Sequence, residues 1–133
     1  MTTVEDKTRS TYCANINKAY GLADHQIKKV RDYVNAHLDE DISIDDLAEQ
    51  VFLSKFHFAR LFKLKTGNSP YQFILNLRLQ RSLHLLCDTK SDMTEIALAS
   101  GFSSQSHYCD VFRRKLGTTP GKFRSLRNTH QLA

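Results

Sequence analysis

Proline is nearly absent from this 133-residue chain, with two; glycine is sparse, with five; and cysteine occurs three times. Cys13, Cys87 and Cys109 are far apart and odd in number, which makes no disulfide framework and fits a reducing compartment. No apolar run approaches the roughly 18 residues that a membrane-spanning helix needs. The stretch from Met1 to Lys18 is polar, mixed in charge and without the apolar core of a signal peptide. Strict apolar–polar alternation is also missing, so no strand pattern competes with helix. Pro70 and Pro120 both stand where helices begin. There is no Gly-rich phosphate loop, no Ser/His/Asp set and no carboxylate pair in an evident cleft. An enzyme therefore lacks specific support, and no cofactor is expected. What remains is a soluble, cytoplasmic chain with no membrane partner.

Hydrophobic residues make up 41% of the chain, enough for a compact core. Lys and Arg exceed Asp and Glu by five, unevenly. Residues 1–40 hold six basic and six acidic side chains, whereas residues 41–133 hold thirteen and eight, so the whole excess lies in the second stretch. A local basic surplus favours an acidic polymer such as nucleic acid.

Residues 1–23 lack a clear apolar period and read as a leader or linker, with room for a short helix around Tyr12–Tyr20. Asp24 caps a helix whose buried stripe is Ile27, Val30, Val34 and Leu38. Ser43 with Asp46 opens the next helix as an acidic capping box, and Leu47, Ala48 and Val51 form its apolar face. After a turn at Phe52–Leu53, Ser54 caps a longer helix. It turns Phe58, Leu61, Phe62 and Leu64 inward and Lys55, Arg60, Lys63 and Lys65 outward, and it ends at Gly67. Ser69, Pro70 and Gln72 start a long helix to about Cys87 that carries Phe73, Ile74, Leu77, Leu83 and Leu86. Asp92 and Glu95 cap a short helix, a turn follows at Gly101, and Ser104 caps a longer one that stops at Gly117. A final helix runs from Pro120 to about Asn128 before a loose tail at 129–133. The expected fold is all-α, with about seven helices.

The chain contains itself twice. Phe58, Phe62, Gly67 and Pro70 recur fifty residues later as Tyr108, Phe112, Gly117 and Pro120; Leu47-Ala48 recurs as Ile96-Ala97, shifted by forty-nine. Each copy holds two helices joined by a tight turn, the helix-turn-helix unit whose second helix can enter a DNA major groove. The order Ile96-Ala97, Gly101-Phe102, Phe112, Gly117, Pro120 and Phe123-Arg124 resembles the C-terminal signature of the AraC/XylS family of transcription regulators. That resemblance covers residues 24–128. It implies two helix-turn-helix subdomains, at 24–69 and 89–128, joined by a long central helix at 70–88. Counted from Pro70 to Cys87, such a helix spans roughly 27 Å at about 1.5 Å per residue. Successive major grooves on one face of DNA lie about 34 Å apart, so two reading helices in one chain suit a monomer on duplex DNA.

Candidate base readers lie on the outer faces of the second helix of each unit: Phe56, Ala59 and Arg60 in the first; Gln105, Ser106, His107 and Asp110 in the second. Arg60 leads, since its planar fork pairs two guanine acceptors, while Phe56 and Ala59 suit thymine methyls. The competing reading of Phe56 is core burial, and that of Arg60 a solvated or phosphate-bound side chain. Lys55, Lys63, Arg113, Arg114 and Lys115 are the expected phosphate anchors. Asp110 departs from the family pattern: it stands at the repeat position of Arg60, where a basic residue is common. It suits either cytosine N4 or an ion pair with Arg113 or Arg114. The first unit is therefore expected to dominate base reading and the second to anchor. Phe52 also departs, since glycine is usual at that turn.

His84, Cys87, His107 and Cys109 make a poor zinc set, because His107 and Cys109 point apart on one helix, and no metal site is expected. Phe62, Phe73, Phe102, Phe112 and Phe123 are expected to pack the two subdomains. No effector domain fits before Asp24, so the chain is either a stand-alone short regulator or the DNA-binding portion of a longer one. The expected function is sequence-specific binding of double-stranded DNA in transcription regulation, with activation through RNA polymerase implied by the resemblance. The rival expectation is a helical protein-interaction module with the same fold and weak DNA binding.

Overall fold

A computed structural model describes residues 21–132, with side chains to 127, and contains seven helices and no strand among them. The leader helix expected around Tyr12–Tyr20 lies outside the described residues. The helices are α1 (Asp24–Ala36), α2 (Ile44–Gln50), α3 (Lys55–Thr66), α4 (Pro70–Asp88), α5 (Met93–Ala99), α6 (Gln105–Leu116) and α7 (Pro120–Leu132). None of the described helices is long and apolar enough to cross a membrane. The last helix continues beyond the stop expected at Asn128, because no glycine or proline follows to break it.

The chain divides into two compact units, one ending at Ala36 and resuming at 42–73, the other built from 37–41 and 74 onward. In the first unit, the cap of α1 is Ala23, one residue earlier than the expected Asp24, and the helix itself begins at Asp24. Ala23 supplies the carbonyl that accepts from Gln26 and Ile27, and the Gln26 side chain reaches back to the Ala23 N–H at 2.8 Å. Asp24 sits instead in the first turn, where its charge suits the helix dipole, and pairs with Lys65 at 2.8 Å. Ser43 and Asp46 form the full capping box of α2. Ile27, Val30, Val34, Leu47, Ala48, Val51, Phe58, Leu61 and Phe62 are buried. Phe58 stacks on Phe62 (centroids 5.4 Å apart), which meets Phe73 edge-on at 5.0 Å. Each large aliphatic or phenylalanine side chain fully buried in this set contributes about 1.5–3 kcal/mol. Leu64 is not among them. It is 56% exposed, because α3 turns its stripe of Phe58, Leu61 and Phe62 away from that position.

The second unit has its own aromatic line: Phe102, Tyr108, Phe112 and Phe123, at successive centroid distances of 5.1, 5.7 and 5.9 Å. The phenylalanines thus form separate stacks, one within each unit. Leu38, placed by its spacing on the stripe of α1, lies past the end of that helix and is buried within the 37–41 segment of the second unit. Arg78 holds this segment, donating from Nε to the Leu38 carbonyl (3.2 Å) and from Nη2 to that of Glu40 (2.9 Å). Arg124 does the same at the end of α4, donating to the carbonyls of Leu86 (3.2 Å), Ser91 (2.7 Å) and Thr89 (3.2 Å). A guanidinium satisfies several unpaired helix-end carbonyls at once. On α4 the buried set includes Leu75 and Leu79 beside Ile74, Leu77 and Leu86, while Phe73 and Leu83 are only partly buried.

Candidate nucleic-acid interface

The first candidate surface is made by α3. Ser54 accepts from the His57 N–H and fixes where the helix starts; Gly67, at φ +80°, lets it stop. With Phe58, Leu61 and Phe62 pinned inside, positions 55, 56, 59, 60 and 63 fall on the opposite face. Lys55, Phe56, Arg60 and Lys63 are exposed and Ala59 half-buried between them. Phe56 is 82% exposed, so it is a surface ring and not a core one. The Lys55 ammonium lies 5.8 Å from its centroid. Arg60 makes no ion pair with any described residue. One turn on, Ala59, Arg60, Lys63 and Leu64 face Gly67, Ser69 and Pro70 across a groove of about 650 Å³. The exposed Leu64 is one wall of it.

The second surface is made by α6, and by the fifty-residue shift its positions match one for one: Gln105, Ser106, Cys109, Asp110 and Arg113. Ser104 caps the helix through the His107 N–H, and Gly117 at φ +78° ends it. The chemistry differs. The Gln105 Oε1 accepts from the Thr94 hydroxyl of α5 at 2.7 Å, so this amide is already engaged. Ser106 is exposed. His107 is half-buried, its ring edge-on to Phe102 at 5.6 Å and its Nδ1 buried without a hydrogen-bond partner among the described residues. It thus points partly inward, unlike its exposed counterpart His57.

Asp110 accepts from Arg113 (3.2 Å) and Arg114 (3.0 Å), one oxygen to each. All three side chains are about half exposed or more, so the pairs contribute at most about 1 kcal/mol each. Their electrostatic effect is larger than their effect on stability. One carboxylate offsets part of the positive charge exactly where Arg60 adds to it in the first unit. Arg113, Arg114 and Lys115 nonetheless give the last turn of α6 a cationic end.

Beneath α6 the Tyr108 hydroxyl is buried beside Ser82, whose own hydroxyl donates to the Leu79 carbonyl at 2.7 Å. Among the described residues the phenol oxygen makes no hydrogen bond of good geometry, and burial pushes its pKa above the ordinary 10.0. Sequence spacing gave no signal for this environment, because the repeat partner of Tyr108 is the apolar Phe58. No group of three His, Cys, Asp or Glu side chains gathers among the described residues.

Comparison with known proteins places these surfaces in context. Residues 47–125 match the model of a helix-turn-helix domain family. Regulatory protein PocR of Salmonella typhimurium is 35% identical over 101 residues, covering 76% of this chain and 33% of PocR. The chain thus spans about a third of the length of the curated relatives it matches. An AraC-type transcriptional regulator from Chromobacterium violaceum superposes with a TM-score of 0.72 at 34% identity, covering 77% of this chain and 91% of that one. The DNA-binding domain of AdpA, solved in complex with a target DNA, gives a TM-score of 0.74 at 28% identity, covering 79% and 95%.

Proposed function

Because the chain belongs to the AraC/XylS family of helix-turn-helix transcription regulators, we propose that it binds double-stranded DNA sequence-specifically and reads two successive major grooves as a monomer. The subdomains at 24–69 and 89–128 each supply one reading helix, and the helix at 70–88 connects them. Base reading is led by Arg60, with Phe56 and Ala59 beside it; Gln105, Ser106, His107 and Asp110 occupy the corresponding face of α6. Lys55, Lys63, Arg113, Arg114 and Lys115 hold phosphates. The internal duplication supports monomer binding, since two readers stand in one chain. Activation through contact with RNA polymerase is the mode that family membership favours.

The observation that carries this reading is the outer stripe of α3. Lys55, Phe56, Arg60 and Lys63 are exposed on one face, and the Arg60 fork, which pairs with no described residue, suits two acceptors on a guanine edge. Selection of bound duplexes from a random pool tests it. The expected result is a recurring site, with most of the information in one half, whose affinity falls steeply as salt rises. Recovery of no duplex at low salt would overturn it.

One observation favours a second reading, a protein-interaction module with weak DNA binding: the carboxylate of Asp110 sits in the middle of the α6 face. That reading expects the selection to return duplexes of no common sequence.

A further inference from the structure

Phe52 is the only non-glycine residue with positive φ among the described residues, at +59°. Side chains with a β-carbon rarely adopt this region, and such strain persists only where something else requires it. Here the turn itself sets the backbone, with the Phe52 and Leu53 N–H groups donating to the Glu49 and Ala48 carbonyls at 3.2 and 3.1 Å, but it does not call for a phenylalanine. The ring is 86% exposed, so it gains little from burial. At the matching turn of the second unit stands Gly101, also at positive φ, and there the residue type is dictated: a β-carbon would overlap the Leu38 carbonyl. At Phe52 no such exclusion operates, and glycine would relieve the strain. A strained, solvent-facing phenylalanine where glycine would serve the fold better is the mark of a contact residue.

Charge shows what the contact fits. The Lys29 ammonium, on α1, lies 5.3 Å from the centroid of the Phe52 ring. Just past the turn the pattern repeats, with Phe56 82% exposed and the Lys55 ammonium 5.8 Å from its ring. Both rings are thus flat apolar surfaces with a cation alongside. An acidic strand built of sugars and phosphates has the complementary pattern: apolar C–H edges of deoxyribose alternating with anionic oxygens.

We propose that Phe52 and Lys29 form a docking point for the sugar–phosphate strand of duplex DNA, with the ring against a deoxyribose and the ammonium on a phosphate. This rests on the chain being a DNA binder, and it adds to that function a residue pair that positions α3 without reading sequence. The strain at Phe52 is the cost of holding the ring out at the edge of the reading helix.

The test measures dissociation constants over a salt series for a selected duplex and for an unrelated one, alongside thermal melts. Phe52→Gly, and Phe52→Asn, which tolerates the left-handed region, are expected to melt at or above the temperature of the unsubstituted chain. Both are expected to bind both duplexes roughly three- to tenfold more weakly, the worth of partly burying one ring. Phe52→Tyr keeps the ring and is expected to keep the affinity. Lys29→Gln is expected to lower the salt slope by about one for both duplexes. Unchanged affinity in Phe52→Gly and Phe52→Asn overturns the docking point while leaving DNA binding intact, and points to a protein partner for the ring. Loss of discrimination in place of affinity overturns it in favour of a base contact. Failure of the unsubstituted chain to bind any duplex overturns the DNA reading itself, and the docking point with it.

Discussion

The carbonyl oxygen of Leu38 fills the space that a side chain at Gly101 would need. Arg78 fixes that carbonyl by donating to it at 3.2 Å, so it cannot simply swing away. Gly101 also sits at φ +95°. The turn between α5 and α6 is therefore set by a segment some sixty residues earlier in the chain, and this turn aims α6, the second helix proposed to meet DNA.

Gly101→Ala is accordingly expected to destabilise the fold by about 3 kcal/mol or more, combining backbone strain with a clash against fixed backbone. Gly67→Ala is the control. It too has positive φ, but its β-carbon meets nothing within 4 Å, so it carries only the strain, about 1–2 kcal/mol. Denaturant melts of both variants check this; equal losses would show that the Leu38 contact does not matter.

Tyr108 gives an alkaline signature. Burial raises its folded-state pKa above 10.0, so the neutral phenol is favoured in the fold. Its contribution is complete below the unfolded value. Above about 10 the unfolded chain loses its proton first, and stability falls as pH climbs toward the folded pKa. Tyr108→Phe, which copies Phe58 of the first unit, is expected to change stability by less than about 1 kcal/mol near neutral pH, since it also removes a buried hydroxyl that lacks a good partner. It is also expected to flatten the alkaline decline. Parallel pH profiles for the two chains would rule the assignment out.

Asp110 predicts a gain. Asp110→Asn removes the charge that holds Arg113 and Arg114. Affinity for any duplex is expected to rise a few-fold, and the salt slope to steepen by about one, as the arginines become free to meet phosphates. Weaker binding after this substitution would instead mean that the carboxylate itself accepts from a base.

Much of this was legible in sequence because it is local. Ser43, Ser54, Ser69, Asp92 and Ser104 mark helix starts, and Gly67 and Gly117 mark ends, through bonds to residues three or four positions away. The repeat told the rest of the architecture. What periodicity hid is long-range. Arg78 and Arg124 bond carbonyls 33–40 positions away, and nothing in their neighbourhoods announces it. Leu64 falls near enough to the apolar stripe of α3 to look internal, yet lies exposed on the groove. Leu75 and Leu79 lie in step with Leu83 and Leu86 on one stripe of α4 that packs into the second unit, and a reading that followed Phe73, Ile74 and Leu77 passed over them. His107 keeps its place on the contact face by spacing alone; the packing of its ring on Phe102 depends on the turn before it.

The central claim is that the first unit reads sequence and the second mainly anchors. Its most direct test is discrimination between a selected duplex and one with altered bases, measured for Arg60→Ala and Ser106→Ala. The account predicts that Arg60→Ala loses about tenfold or more of that discrimination, the worth of one bidentate base contact, while Ser106→Ala keeps it. Intact discrimination in Arg60→Ala together with its abolition in Ser106→Ala would contradict the account.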